Sequence, residues 1–220
     1  MKHRYVYCII ASLVLSVYGC KSKNEPAAEA PPQAAQPEVV QPESPKKTPP
    51  KQPTEAFFEA ALTGNIQAVE AELVAGVPAD ATTLDGQNRT ALMLAAFNGH
   101  TNVVEMLIDY GGDVNAVDGI NRTALMYASS GPFPETVQLL IDKGAKVNII
   151  DNNEKWTALM FAAAEGHADS VKRLLKAGAD TTLKDVDGDT AADFAAQKGR
   201  LEIAEMIRQY GQSSDSGSPN

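Results

Sequence analysis

His100 and His167 are the side chains of this 220-residue sequence best suited to acid–base or metal chemistry, and each directly follows a glycine, Gly99 and Gly166. A metal site needs three or four His, Cys or carboxylate ligands brought together. The remaining histidine is His3, and both cysteines, Cys8 and Cys20, also stand at the far N-terminus. No third His or Cys accompanies them, so a structural role is the expectation for both histidines. The acidic run Asp185, Asp187, Asp189, Asp193 has the alternation of a calcium loop. It lacks the glycine after the third aspartate and the bidentate glutamate that such loops use, so a tight turn is the better reading. No Ser–His–Asp grouping and no phosphate-cradling glycine-rich loop is present. The residue types thus predict no catalytic residue, no metal and no cofactor.

The elements that carry these residues recur. Thr90-Ala91-Leu92-Met93 returns as Thr123-Ala124-Leu125-Met126, as Thr157-Ala158-Leu159-Met160, and in degraded form as Thr190-Ala191-Ala192-Asp193, at steps of 33, 34 and 33 residues. A period of that size marks a stack of small units, none able to bury its own apolar face. In each unit a threonine can cap the start of a short apolar helix, and a glycine such as Gly99 stops it. A second amphipathic helix follows, with Val103, Val104, Met106, Leu107 and Ile108 on one side and Glu105 and Asp109 off it. Gly111-Gly112 ends it, and Asp113-Val114-Asn115 leads to a turn around Asp118-Gly119. The pairs Ala95-Ala96, Ala162-Ala163 and Ala195-Ala196 are small enough for helices to approach closely.

These motifs resemble the ankyrin repeat. The family pattern is roughly D-x-x-G-x-T-P-L-H-x-A-A-x-x-G-H, a second helix, then G-A-D-V-N. Asp85 to His100, Trp156 to His167, Gly112 to Asn115 and Gly178 to Asp180 follow it. The resemblance implies an all-α repeat solenoid, helix–turn–helix units joined by β-hairpin loops. About five repeats are expected over residues 54–211, divided near 54–88, 89–121, 122–155, 156–188 and 189–211. Ala replaces Pro and Met replaces His in the helix-start tetrapeptide, which predicts one side-chain hydrogen bond fewer per repeat. The ends depart as caps should. The first unit has Glu55 where Thr is expected, then Phe57 and Phe58, and an insertion around Val77-Pro78-Ala79. The last has Ala192-Asp193, polar enough for a helix facing water, and residues 212–220 read as a frayed, disordered tail.

The N-terminus reads as a targeting segment. Lys2, His3 and Arg4 precede an apolar stretch from Tyr5 to Val17, too short to span a bilayer, which needs about 20 residues. It has the form of a secretory signal peptide over residues 1–19. Val17-Tyr18-Gly19-Cys20 resembles a bacterial lipobox, with Tyr18 bulkier than the family's small residue. That resemblance implies lipidation at Cys20; an ordinary signal peptide with an incidental Cys is the alternative. Lys21 at the next position implies the outer membrane. Without Cys8 and Cys20 the remaining chain has no thiol, which suits an oxidising compartment. Residues 20–53 form a disordered tether after the lipidated Cys, and residues 21–53 hold nine of the thirteen prolines. Such a segment would reach about 100 Å if stiff and average about 30 Å if flexible.

The formal net charge is −9, and from residue 54 on 12 Lys and Arg face 24 Asp and Glu. A domain that acidic is repelled by nucleic acid and by anionic membranes, leaving the lipid anchor as the membrane contact. By the resemblance, hairpin tips and inner helices line a concave face that receives a protein partner. The tip positions are Leu84, Val117, Ile150 and Lys184, with Arg89, Arg122 and Trp156 just before the helices, and Phe97 and Ile120 on the same side. Apolar residues with Arg and Trp have the composition of interface hot spots; packing between adjacent hairpins is the other reading. Gly131-Pro132-Phe133-Pro134 breaks the pattern between helices, so Phe133 is either a second contact or folded back on its own repeat. The expectation is a non-enzymatic, monomeric binding module held in the bacterial envelope, facing the periplasm, that binds or stabilises a periplasmic protein. An immunity-type inhibitor of an envelope-targeted toxin and a self-associating structural protein remain as alternatives.

Overall fold

The structure is a computed structural model in which residues 51–215 are described. The segment expected to be a signal peptide, Cys20, most of the expected tether and the final five residues lie outside the described residues. Ten helices occur among those described, in five consecutive pairs: α1 (Glu55–Thr63) with α2 (Ile66–Val74), α3 (Ala91–Phe97) with α4 (Thr101–Asp109), α5 (Ala124–Ser129) with α6 (Pro134–Asp142), α7 (Ala158–Glu165) with α8 (Ala168–Lys176), and α9 (Ala191–Gln197) with α10 (Leu201–Asp215).

The caps explain where the first helices begin. Thr90, Thr123, Thr157 and Thr190 each sit in extended backbone and accept the amide of the residue three along, at 3.3, 3.3, 3.2 and 3.4 Å. That satisfies one of the amides a helix start leaves without a partner. In the first unit Thr54 holds the N-cap position, but its side chain makes no capping bond. The loss expected from Met in place of His is partly offset. The sulfur atoms of Met93 and Met160 accept the Thr90 and Thr157 amides at 3.5 and 3.4 Å, weak bonds that still occupy a buried donor. In the last unit Asp193 does this better, its Oδ2 accepting the Thr190 amide at 3.0 Å and its hydroxyl at 2.7 Å. Asp193 therefore caps its helix as well as facing water, whereas Ala192 beside it is buried.

The first helices of the pairs stack in order, α1 on α3, α5, α7 and α9, and the second helices stack as α2, α4, α6, α8 and α10. Between the layers runs one core. Phe57, Leu92, Leu107, Leu125, Leu140, Leu159, Leu174 and Ile207 are all but completely buried, and Ala95, Ala96, Ala162, Ala163 and Ala195 are fully so. Both stacks are pinned at the turn between paired helices. His100 Nε2 donates to the Leu62 carbonyl at 3.0 Å and His167 Nε2 to Ser130 at 3.3 Å; Arg200 reaches the Ala164 carbonyl in the same way. Phe133 holds the equivalent place, its ring lying over Gly99 and Gly131 where any Cβ would collide with it.

The loops between pairs close on themselves: the amides of Thr83, Asp118, Asp151 and Asp185 donate to the carbonyls of Arg89, Arg122, Trp156 and Asp189 at 2.8–3.0 Å. Their arms are too short for strands; among the described residues a lone antiparallel bridge, Thr82 with Thr90, is all that forms. Two boundaries differ from expectation. α10 runs through Gly211 to Asp215, so the C-terminal tail starts later than residue 212. Lys51 already belongs to the fold, its amide donating to Gly76 at 3.1 Å and its ammonium pairing with Glu72 at 2.7 Å.

Each loop needs one residue in the left-handed region just before the helix-facing position: Asn88 (φ 53°), Asn121 (φ 66°), Lys155 (φ 59°) and Gly188 (φ 90°). Asparagine and glycine tolerate that conformation and lysine does not. Lys155→Gly is expected to stabilise the fold by about 0.5–1 kcal/mol, read as a higher midpoint in urea denaturation.

Candidate functional site

An aspartate recurs at every loop tip, at 85, 118, 151 and 185, and organises the loop by accepting its amides. Asp118 Oδ1 accepts from Ile120 and Arg122 at 2.9 and 2.8 Å, and its other oxygen takes the Tyr127 hydroxyl at 2.7 Å. Asp151 Oδ1 accepts the amides of Asn153, Glu154 and Trp156 at 2.9–3.3 Å, while Oδ2 receives Arg122 Nε at 3.2 Å. Asp185 takes the amides of Asp187 and Asp189 at 3.0 and 2.8 Å. A carboxylate so engaged is a turn organiser. Asp118 and Asp151 are buried; the turn at Asp118 is legible in the sequence, and Asp151 only through the period. The tips also bond to one another: Gly119 donates to Gln87 (2.8 Å), Asn152 to Ile120 (2.8 Å) and Val186 to Glu154 (3.1 Å). A second link was read from sequence only as a lead into the turn. The Asn115 and Asn148 carboxamides accept the amides of Lys146 and Asp180 in the next unit, at 2.8 and 2.9 Å.

On this frame the residues singled out from the sequence divide into two sets. Leu84 (84% exposed), Phe97 (48%), Val117, Ile120 and Ile150 project to solvent, as does Lys184. Arg89, Arg122 and Trp156 are half-buried and bonded. Arg89 pairs with Asp85 at 2.7 Å. The Arg122 guanidinium lies 5.3 Å from the centre of the Phe161 ring, close enough for a cation–π contact. Trp156 packs between Phe161 and Phe194 at centroid distances of 4.9 and 4.6 Å. Trp156 and Arg122, the strongest interface candidates by composition, thus serve a stack of rings joining the third to the fifth unit. Phe133 lies in packing as well, apart from the exposed set.

A groove of about 1040 Å³ opens where α1, the loop over 83–89, α3 and the start of α5 meet. Four sequence candidates line it, Leu84, Arg89, Phe97 and Arg122; Glu55, Phe58, Glu59, Leu62, Asp85 and Tyr127 join them without having been anticipated. Phe97 and Tyr127 meet edge to face at 6.1 Å. Burial, and then the bond to Asp118, push the Tyr127 phenol up to about 12, so it stays a neutral donor. Hydrogen bonds from Thr83, Gln87 and Arg89 hold the Asp85 carboxyl down at about 2, so its charge persists at any physiological pH. Among the described residues no group of three His, Cys, Asp or Glu is arranged to hold a metal ion, and no helix is long and apolar enough to cross a membrane.

The description of ankyrin repeats in three copies matches residues 57–151 and again 133–217. The chain belongs to the ankyrin repeat family, and such repeats are protein–protein interaction modules, generally without enzymatic activity. Three curated proteins of Arabidopsis thaliana are similar over short stretches. The DExH-box ATP-dependent RNA helicase DExH6 is 42% identical over 62 residues, 28% of this chain and 5% of the helicase. The related helicase DExH2 is 41% identical over 54 residues, 24% of this chain and 3% of its own length. Protein LHCP TRANSLOCATION DEFECT is 48% identical over 52 residues, 24% of this chain and 28% of that protein. The matched stretches thus span between 3% and 28% of these relatives.

Two outcomes follow from the division of the site. Trp156→Ala should cost about 3 kcal/mol of stability because it empties a packed ring stack, whereas Leu84→Ser should stay within about 0.5 kcal/mol; paired urea titrations measure both. For Asp85 the folded value, about 2, lies below the ordinary 3.8. The carboxylate's contribution is therefore present above 3.8 and lost as the pH falls through about 2. Asp85→Asn should flatten that part of the acid denaturation profile, followed by circular dichroism.

Proposed function

We propose that this is a lipid-anchored protein of the bacterial envelope that holds a protein partner in the periplasm against the concave side of its repeats. The observation that carries the reading is the exposure of Leu84, Phe97, Val117, Ile120 and Ile150 on the loops and first helices. Apolar side chains exposed on successive loops offer a partner surface to bury. The basic start, short apolar stretch and Cys20 of the N-terminus support acylation there, and the proline-rich tether keeps the repeats clear of the bilayer with freedom to search. A thiol-free repeat domain suits an oxidising periplasm. The partner is bound and positioned, with no chemistry performed on it.

Full-length protein and its Cys20→Ser variant, produced in a bacterium with a clickable palmitate analogue, test the anchor. Label and membrane sedimentation are expected for the first and neither for the second; wild-type protein that is unlabelled and remains in the cytosol contradicts the reading. The triple variant Leu84→Ser/Phe97→Ser/Ile120→Ser should weaken capture of the dominant envelope partner by about 100-fold, as loss of central apolar contacts does, with its melting transition kept. Capture unchanged by the triple variant places the binding surface elsewhere.

A further inference from the structure

Charge is distributed unevenly along the stack. Residues 54–121 carry Arg89 alone against ten carboxylates, a net of −9, whereas residues 122–215 carry eleven basic against fourteen acidic side chains, a net of −3. The groove described above lies at the acidic end. Its own two cations are already used: Arg89 by Asp85 at 2.7 Å and Arg122 by Asp151 at 3.2 Å. Glu55 and Glu59, one turn apart on α1, line the same groove, and among the described residues neither carboxylate has a cationic partner. Phe58, Leu62, Leu84 and Phe97 line the same groove. The groove therefore combines apolar side chains with two carboxylates that no cation among the described residues neutralises.

We propose that this groove receives a cationic amphipathic segment of a partner protein, its apolar side chains on Leu84 and Phe97 and its Lys or Arg side chains at Glu55 and Glu59. The proposal rests on the protein-binding reading and specifies the partner's chemistry. Complementary charge speeds encounter and rejects acidic competitors, while the apolar side chains supply affinity. Other occupants fit less well. Of the chain's own basic residues near this end, Lys46, Lys47 and Lys51, Lys51 is engaged on the second-helix layer, paired with Glu72 of α2 at 2.7 Å. A second copy would bring one acidic surface against another.

The probe is a synthetic, roughly twelve-residue peptide of lysine and leucine at helical spacing. It is titrated calorimetrically into full-length protein held in phosphatidylcholine nanodiscs, with binding to empty discs subtracted. Glu55→Gln/Glu59→Gln should weaken binding about tenfold and lower its salt dependence. The charge-matched control Glu165→Gln/Glu202→Gln, outside the groove, should stay within about twofold; melting curves show whether each variant is folded. Equal losses in the two pairs, or none in either, would reduce the effect to diffuse attraction and overturn the proposal. Tighter peptide binding after Lys46→Ser/Lys47→Ser/Lys51→Ser identifies the chain's own tether as the occupant. Dimers that disappear in Glu55→Gln/Glu59→Gln identify a second copy. Either result also overturns it. If Glu55→Gln/Glu59→Gln captures the envelope partner as well as wild type does, protein binding stands and this specification falls. If wild type captures no protein, the underlying reading fails with it.

Discussion

A pair of short helices in this chain cannot dry its own apolar face, and nearly every other feature follows from that. Leu92, Leu125 and Leu159 are buried only because a neighbouring pair covers them. Alanines at the inner-helix contacts bring the layers close enough for that burial to be complete. Removing a methylene costs dispersion contacts on both sides of a junction, and adding one forces a junction apart. Stability is consequently shared between neighbours, and the units at either end must manage a face without a neighbour. Thr54 lacks the capping bond its counterparts make, and the last unit compensates with Asp193 and a helix of 15 residues.

The loops are held by a different force. Buried carboxylates are costly unless their oxygens are engaged, and at Asp118 and Asp151 backbone amides, Tyr127 and Arg122 engage them. The tips then bond one to the next, so a row of exposed side chains is carried on a hydrogen-bonded frame. That arrangement separates two tasks that composition alone had merged. Arg122 and Trp156 hold the frame together, and Leu84, Phe97 and Ile120 remain available to a partner.

Much of the fold was legible because its period is written in residue types: the capping threonines, the alanine pairs and the stop glycines all recur. A structural role for His100 and His167 was also legible, since no third His or Cys stands near them in the sequence. The site was less so. Trp156 has the composition of a hot spot, and only the positions of Phe161 and Phe194 show its ring enclosed. In the sequence Glu55 and Phe58 mark only an atypical end and Glu59 carries no signal, because the groove arises where α1, α3 and the loop over 83–89 converge. Phe133 illustrates a substitution that keeps the place of a histidine while exchanging a hydrogen bond for ring packing on Gly99.

The central claim is that the partner lies against the inner helices and loops rather than the outer layer. A photoreactive benzoylphenylalanine at position 97, compared with one at Glu105 on α4, tests it directly in living cells. A single discrete adduct from position 97 and none from position 105 is the expected result. Adducts from position 105 alone would place the partner on the opposite layer and contradict the account.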